Sequence, residues 1–366
     1  MLFLVDLPAP VHGMSTINQA MYDKVSAHTN DVDCINTVPS WAARHFGSPA
    51  WTMIKLFHSG LCIARFALYA LLHRNTKVYR SVNGGIGQLF DVFYFSISRL
   101  FGLQLYIHHH SFSYLNNRSK LFALLNSLAG SKAVHICLGP TMAARLMEQY
   151  GVNTKQIRVV SNLAFFDTET QSLQGPSSPG LTIGHLANLT FEKGLDTFLE
   201  VCSQLYKAGI PFQALIAGPA SSQAVQQALT VATTTHPDIV QYLGPLYGAD
   251  KAAFFSRLDA FIFPSRYVNE AEPLVLYEAA IHGAFIAGTR RGCMGDIIDH
   301  FNGLAVDENS TAADSLSAGL KNASQHGTFL QAARQERKVL FDIARADALS
   351  ELNTLVEELT RACTRT

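Results

Sequence analysis

Paired cysteines are the first feature that this sequence lacks. Its six cysteines are spread along 366 residues with no CxxC pair, at Cys34, Cys62, Cys137, Cys202, Cys293 and Cys363. Such spacing gives no disulfide framework. The apolar start MLFLVDL is too short for the hydrophobic segment of a signal peptide, and it predicts a first buried strand instead. We therefore expect reduced thiols in a cytoplasmic protein.

An uninterrupted hydrophobic run is also missing. The stretch WTMIKLFHSGLCIARFALYALLH is long enough to span a bilayer, but Lys55, Gly60 and Arg65 interrupt it. Two interpretations remain: a helix packed on a sheet, which we expect for most of its length, and an amphipathic helix lying on a membrane. The aromatic residues near cations keep the second interpretation open.

Acidic residues are scarce in the first part of the chain. Residues 1–165 contain fourteen Lys and Arg against six Asp and Glu, and the rest carries an equal excess of acid, so the net charge is zero. This asymmetry indicates a basic first domain that could face an anionic membrane surface, at the inner face of the membrane, or a chance distribution over solvated faces. The length and the 48% hydrophobic content are typical of two globular domains.

Metal-binding patterns are weak. Asp31-Val32-Asp33 superficially resembles a DxD metal motif, but it has no evident partner ligand. His108, His109 and His110 are adjacent at the end of a predicted strand, where successive side chains point to opposite faces. One of them can face an active site, but three cannot bind one metal ion. We expect no metal and no cofactor.

Strand and helix patterns alternate regularly, which predicts an α/β fold with parallel sheets. The first domain covers 1–166 and ends in a predicted strand, IRVVSNLAFF. The polar stretch DTETQSLQGPSSPG over 167–180 reads as a linker. The alternation restarts over 181–345, and a helix over 346–366 could pack back on the first domain. The prediction is two Rossmann-like domains facing each other across a cleft.

Two carboxylates mark the stretch PSRYVNEAEPLVLYEAAIHG, residues 264–283. It follows an apolar run over 258–263 that predicts a buried strand, and it leads into a short helix ending near Gly283. Glu270 would lie in the loop and Glu278 about two turns into the helix. Ligands bind at this edge of an open parallel sheet, and a helix N-terminus there suits phosphate.

This stretch resembles the retaining glycosyltransferases of family four, also called glycosyl transferases group 1, which have the GT-B fold. Further segments carry the resemblance in family order: PAPVHGMSTINQAM, HHHSF, VVSNLAFF, IGHLANLTFEKGLDTFLEV, LIAGP and YLGPL. The resemblance implies transfer of a sugar from a nucleotide-diphosphate sugar to a polysaccharide, lipid-linked or other glycan acceptor, with retention of anomeric configuration. It implies no metal and no nucleic-acid partner.

The resemblance also implies roles for individual residues. Glu270 and His110 would be catalytic and face the donor sugar. The diphosphate would be bound by Lys193, Asn188 and Gly13, and the ribose and base by Glu278, Leu274, Val275, Gly218 and Leu243. Bond cleavage leaves negative charge on the diphosphate, which a lysine and backbone N–H groups stabilise.

Two departures from the family pattern weaken these roles. Asn188 stands where the family usually has Arg, and Ala271-Glu272-Pro273 replaces Gly-Phe-Gly. Pro273 lacks an N–H donor but suits the first turn of a helix. We expect Glu272 to be solvated rather than to bind a sugar hydroxyl.

Other residues and other functions stay open. Arg290 and Arg291 could replace the missing cation or lie on the surface, and His185 at a strand end could line the cleft. The departures motivate an alternative, a catalytically inactive nucleotide-sugar-binding or scaffold protein of the same fold. An epimerase or hydrolase of nucleotide sugars explains the two carboxylates less well.

Overall fold

The structure is a computed structural model that describes residues 1–10, 13–82, 84–166 and 180–361. All of the predicted linker except Gly180 lies outside the described residues, as does Cys363. The chain divides into two compact units. Unit 1 comprises Met1–Phe165 and Asp347–Thr366, and unit 2 comprises Phe166–Ala346.

Unit 1 is built on a parallel sheet of six strands in the order β2-β1-β3-β4-β5-β6. The strands are β1 Leu2–Val5, β2 Asp33–Asn36, β3 Lys77–Val82, β4 Gln104–His109, β5 Val134–Cys137 and β6 Ile157–Val159. The helices are α1 Gly13–Ser26, α2 Pro49–Leu72, α3 Gln88–Phe101, α4 Ser113–Asn116, α5 Lys120–Ala129 and α6 Pro140–Tyr150.

The last strand of this sheet is shorter than predicted. Only Ile157–Val159 of the stretch IRVVSNLAFF is a strand, and Asn162–Phe165 forms a 3-10 turn. The hydroxyl of Ser161 accepts a hydrogen bond from the N–H of Leu163 at 3.0 Å. Such a local serine contact favours a turn over an extended strand, although the residues are apolar.

Unit 2 repeats the architecture with a second six-stranded parallel sheet, in the order β12-β11-β10-β7-β8-β9. Its strands are β7 Leu181–Leu186, β8 Phe212–Ala217, β9 Val240–Tyr242, β10 Ala260–Phe263, β11 Phe285–Thr289 and β12 Leu304–Val306. Its helices are α7 Leu195–Lys207, α8 Gln223–Thr235, α9 Gly248–Ser256, α10 Leu274–Ile281, α11 Met294–His300 and α12 Ala312–Gln325. The predicted α/β fold with two Rossmann-like sheets is confirmed.

A long last helix, α13 Gln331–Thr360, begins in unit 2 and ends in unit 1. Buried Arg334 of this helix donates to the backbone oxygen of Leu258 at 2.7 Å in unit 2. At its other end Glu358 accepts from Arg158 at 2.7 Å in unit 1. The ammonium of Lys77 donates to the backbone oxygen of Glu358 at 2.6 Å, so it binds the carbonyl end of the helix.

At the carboxyl edge of the unit 2 sheet, two glycines allow neighbouring loops to come into backbone contact, because neither position has space for a side chain. Gly194 has a φ of +90°, and a Cβ there would lie 2.3 Å from the backbone oxygen of Pro264. Gly218 has a φ of +118°, and its Cβ would lie 1.8 Å from the backbone oxygen of Ala187. The loop after β7 therefore packs backbone to backbone on the segments that follow β10 and β8.

His185 in β7 is a core residue and does not line a cleft, contrary to one of the possibilities above. Its ring is fully buried, stacks on Phe198 and Phe263, and has Nδ1 2.9 Å from the backbone oxygen of Ile262, to which Nδ1–H donates. Burial lowers the pKa of His185 to about 4, because the charged imidazolium would lose its hydration.

We expect Gly194→Ala to destabilise the protein by about 3 kcal/mol or more, because the new methyl group meets the backbone of Pro264 in a left-handed conformation. Gly209→Ala is the matched control. Gly209 also has a positive φ, of +69°, but nothing lies within 4 Å of a Cβ there. The control should cost only about 1 kcal/mol in chemical denaturation. Equal costs for the two variants would show that the close contact is unimportant.

We expect acid to destabilise the fold through His185. The unfolded chain binds a proton near pH 6.5 and the folded chain only near pH 4, so stability is full above about pH 6.5 and falls as the pH drops towards 4. The loss should be on the order of 3 kcal/mol at most. His185→Asn keeps an amide donor and removes the titration. Between these pH values, chemical denaturation should show that the free energy of unfolding depends less on pH in the variant than in the wild type. An equal pH dependence would contradict the assignment of this acid sensitivity to His185.

Candidate functional site

The predicted site residues of unit 2 all follow the carboxyl ends of four neighbouring strands. Asn188 and Lys193 follow β7, Gly218 follows β8, and Leu243 follows β9. The remaining ones follow β10, namely Glu270, Leu274, Val275 and Glu278. Because β10, β7, β8 and β9 are adjacent and parallel, these residues lie along one edge of the sheet.

The centre of this edge is an ion pair between Lys193 and Glu270. The lysine Nζ lies 2.6 Å from Oε2 of Glu270, and the hydroxyl of Ser265 donates to the same oxygen at 2.9 Å. The Glu270 residue is only 7% exposed, whereas the lysine side chain is 22% exposed. A buried carboxylate of this kind is stable because both donors compensate its lost hydration.

Lys193 is held in place by its own loop and by the next one. Its backbone N–H donates to the hydroxyl of Thr190 at 2.9 Å, and its ammonium lies 4.7 Å from the ring centre of Tyr267. Arg266 ties the two loops together: its N–H donates to the backbone oxygen of Glu192 at 2.7 Å, and its guanidinium pairs with Asp196 at 2.9 Å. The lysine is therefore fixed before any ligand binds.

Glu278 forms a second ion pair on α10. Its Oε1 lies 2.5 Å from Nζ of Lys251 on α9. Its Oε2 is buried, and nothing in the described ranges of the chain hydrogen-bonds to it. One oxygen of this carboxylate is thus committed to lysine, and the other can accept a hydrogen bond from a ligand.

The start of α10 offers backbone donors. Pro273 directly precedes the helix and has no side-chain acceptor, so it cannot cap the N–H groups of the first turn. Leu274 and Val275, the first two helical residues, are half-buried. The proline therefore stands just before the helix, where its missing N–H costs little.

Glu272 is not solvated, so that expectation was wrong. It is only 6% exposed, and its Oε1 accepts a hydrogen bond from the hydroxyl of Tyr277 at 2.5 Å. Tyr277 lies one turn further on in α10, and its hydroxyl compensates the buried carboxylate. The loop Ala271-Glu272-Pro273 is therefore part of the packed structure.

The other predicted residues take less central positions. Asn188 is exposed, and Arg290 and Arg291 pair with Asp299 and Glu308 respectively. Gly218 and Leu243 belong to backbone contacts: the N–H of Gly218 donates to the oxygen of Gly244 at 2.8 Å, and that of Leu243 to Ile216 at 2.9 Å.

In unit 1, Gly13 begins α1 after β1, and His110 follows β4. His110 is half-buried, with its ring 4.1 Å from that of His108 between centroids, whereas His109 contacts His135 at 3.0 Å. The three histidines therefore do not point the same way. No group of three His, Cys, Asp or Glu suited to a metal ion occurs in the described part of the chain.

Two residues of this edge had no predicted role. Ser265 follows β10 and could have been found from its place two residues after that strand. Lys251 lies 27 residues before Glu278, and nothing in the local sequence connects them. The edge as a whole combines two lysines, two carboxylates and an uncapped helix start. This set suits a ligand that carries both phosphate and hydroxyl groups.

Comparison with known proteins agrees with this geometry. Residues 169–338, which hold this edge of unit 2, match the family described as glycosyl transferases group 1. No curated protein sequence matches the chain.

Four solved structures, of three proteins, share the fold over almost the whole chain. Anabaena Alr3699/HepE in complex with UDP has a TM-score of 0.69 and 15% identity, covering 98% of this chain and 99% of that chain. Its complex with UDP-glucose has a TM-score of 0.64 and 16% identity, covering 98% of each. The lipopolysaccharide outer core galactosyltransferase WaaB has a TM-score of 0.71 and 14% identity, covering 98% and 99%. Sucrose-phosphate synthase from Thermosynechococcus elongatus has a TM-score of 0.69 and 14% identity, covering 98% of each. The chain therefore has the two-domain GT-B fold of glycosyltransferases, and its residues 169–338 match the group 1 family.

Proposed function

We propose that this protein transfers a sugar from a nucleotide-diphosphate sugar to a glycan or lipid-linked acceptor, with retention of anomeric configuration and without a metal ion. The observation that carries the proposal is the pair of Lys193 and Glu270 beside the start of α10. The complexes of the similar HepE structures with UDP and UDP-glucose support a nucleotide-sugar donor.

The charges of the reaction fit the residues of this edge. When the bond between the anomeric carbon and the diphosphate oxygen breaks, its electron pair stays on the diphosphate and the sugar ring becomes positive. Lys193 and the N–H groups of Leu274 and Val275 can stabilise the negative diphosphate. These positive groups are the reason to propose a reaction without a metal.

Glu270 has two successive roles in this proposal. In the unliganded site it neutralises Lys193 at 2.6 Å. When a diphosphate pairs with the ammonium of Lys193, the carboxylate of Glu270 keeps its hydrogen bond from Ser265 and becomes available to sugar hydroxyl groups. The carboxylate then loses its ion pair, so hydrogen bonds from Ser265 and from the sugar hydroxyl groups must compensate its charge.

The nucleoside is assigned to Glu278 and the loops after β8 and β9. The buried Oε2 of Glu278 is suited to accept from a ribose hydroxyl, while Lys251 holds the other oxygen. Gly218 and Leu243 would place backbone groups near the base. The roles of Asn188, Gly13 and His110 stay predictions from the family resemblance.

We place the reaction in the cytoplasm, in the synthesis of a polysaccharide or a glycolipid. Five cysteines are free thiols in the described residues, which suits a reducing compartment: Cys34, Cys62, Cys137, Cys202 and Cys293. The net charge of zero gives no reason to propose a nucleic-acid partner.

Nucleotide binding can be tested by thermal shift with UDP, GDP, ADP and UDP-glucose. A ligand at 100 times its Kd stabilises the fold by about 2.7 kcal/mol, which ranks the panel. Lys193→Met/Glu270→Gln removes both charges together, so no buried carboxylate is left unpaired, and we expect at least a tenfold loss of diphosphate affinity. Lys207→Met removes an exposed lysine of the same unit and should bind normally. If none of these four ligands raises the unfolding temperature, the proposal of a nucleotide-sugar donor is refuted.

Transfer itself can be tested with Glu270→Ala and the nucleotide sugar that binds. We expect the variant to bind the nucleoside diphosphate within a few-fold of the wild type but to lose transfer by a factor of at least about a hundred. Proton NMR of the wild-type product should show the anomeric configuration of the donor. An inverted product would contradict retention. Nucleotide binding without transfer to any glycan or lipid-linked acceptor would favour the scaffold alternative.

A further inference from the structure

Helix α2 carries an apolar face that unit 1 leaves uncovered. Its buried residues are Trp51, Ser59, Cys62, Phe66 and Ala70, which pack on one side only. The opposite side exposes apolar residues at intervals of three or four: Met53 69%, Phe57 70%, Leu61 49%, Ala64, Leu68 59% and Leu71 52%. Packing against the sheet, the arrangement expected for most of this stretch, therefore accounts for one face of the helix alone.

Neighbouring helices extend the apolar surface. α2 packs against α3, and α3 packs against α5. On α3 the exposed apolar residues are Leu89 51%, Phe93 55% and Leu100 77%, and on α5 Leu124 is 47% exposed. A group of exposed apolar side chains on helices that pack side by side marks an interaction site, whereas single exposed leucines are ordinary.

This surface lies in a region of the chain almost without acid. Residues 34–147 contain eleven Lys and Arg and a single acidic residue, Asp91. Asp91 is fully buried and pairs with Arg80 at 2.7 Å, so it contributes no exposed negative charge. Arg44 and Arg74, which flank α2, and Arg65 within it are exposed. Asp31 and Asp33, which lie beside Tyr69 of the helix, are also exposed, so the exposed charge around α2 is predominantly but not wholly positive. The partner should therefore be apolar where the exposed side of α2 enters it and negatively charged where the flanking arginines meet it.

We propose that the exposed face of α2 is a membrane-docking surface, on which the helix lies in the interfacial plane of an anionic bilayer. Apolar side chains would enter the acyl boundary, and the flanking arginines would meet anionic headgroups. A second copy of the chain fits less well, because Asp31 and Asp33 beside Tyr69 are outnumbered by the exposed arginines of the helix and its flanks, so face-to-face pairing would bring mostly like charges together. The docking does not depend on the reaction proposed above, although it would bring a lipid-linked acceptor to the protein.

The helix is placed to lie on the membrane and not to cross it. By length and composition Pro49–Leu72 could span a bilayer. Its other side, however, is tied to the end of β2: His58 lies 3.0 Å from the backbone oxygen of Asn36, and the Cys62 thiol donates to the same oxygen at 3.4 Å. Spanning would remove Phe66 and Ala70 from the core of unit 1, where both are fully buried.

Vesicle flotation without nucleotide tests the docking separately from transfer. We expect the wild type to float with vesicles of equal parts phosphatidylcholine and phosphatidylglycerol. Flotation with phosphatidylcholine alone, or when salt rises from about 0.1 M to about 1 M, should be several-fold weaker, because headgroup attraction is then absent or screened. Phe57→Glu/Leu68→Glu should reduce flotation at least tenfold with unchanged thermal unfolding. Val231→Glu/Tyr247→Glu alters two exposed apolar residues of unit 2 and should float like the wild type.

Three results would overturn the proposal. One is a wild type that does not float with the anionic vesicles. Another is a Phe57→Glu/Leu68→Glu variant that floats as well as the wild type. The third is a wild-type dimer in light scattering that this variant converts to a monomer, with no flotation of either, because a second copy would then cover the face.

The orientation of α2 can be measured by depth-dependent quenching with brominated lipids. The chain has two tryptophans, so Trp41→Phe/Trp51→Phe gives a background into which Phe57→Trp or Leu68→Trp is introduced. These two positions are eleven residues apart on the exposed face, a rise of about 16 Å along a helix. Equal quenching depths support a helix in the membrane plane. Depths that differ by about that rise would show a crossing helix and overturn the in-plane arrangement.

Discussion

The ion pair between Lys193 and Glu270 is the interaction on which the rest of the unit 2 edge depends. It joins loops that follow two adjacent strands, β7 and β10, over 2.6 Å. A carboxylate this deeply buried would be unstable alone, so its position requires the lysine and the hydroxyl of Ser265. The pair therefore specifies how the two loops meet. It leaves a cation and an anion side by side at the place that we propose for the phosphate and the sugar.

Backbone contacts around the pair make this arrangement rigid. Gly194 lies against Pro264, and Gly292 lies against the backbone oxygens of Glu270 and Ala271. No larger residue fits at either glycine without moving the backbone. A site built in this way needs little reorganisation when a ligand binds, which is the condition under which electrostatic stabilisation is most effective. Unit 1 differs in character, since its notable surface is the apolar face of α2 bordered by cations.

Much of the fold could be predicted, because the alternation of apolar strands and amphipathic helices is a local pattern. Both parallel sheets and the helix after β10 follow from it. Where an expectation failed or an open possibility was decided, a specific side-chain contact that the hydrophobic pattern does not report was responsible. Glu272 was expected in solvent, but the hydroxyl of Tyr277 permits its burial. His185 was a possible cleft residue, but two aromatic rings enclose it. The strand after β5 was overextended, because a serine contact ends it.

The sequence by itself determined the α/β class, the position of the two carboxylates after a strand and the charge asymmetry along the chain. These properties depend on residue order, on the periods of strands and helices, and on simple counts. Only the tertiary structure decided which charges pair. Lys193 with Glu270 and Lys251 with Glu278 are separated by 77 and 27 residues, and only the parallel order of the strands brings each pair together. The tertiary structure also decided which side of α2 stays exposed, because burial depends on what the rest of unit 1 covers.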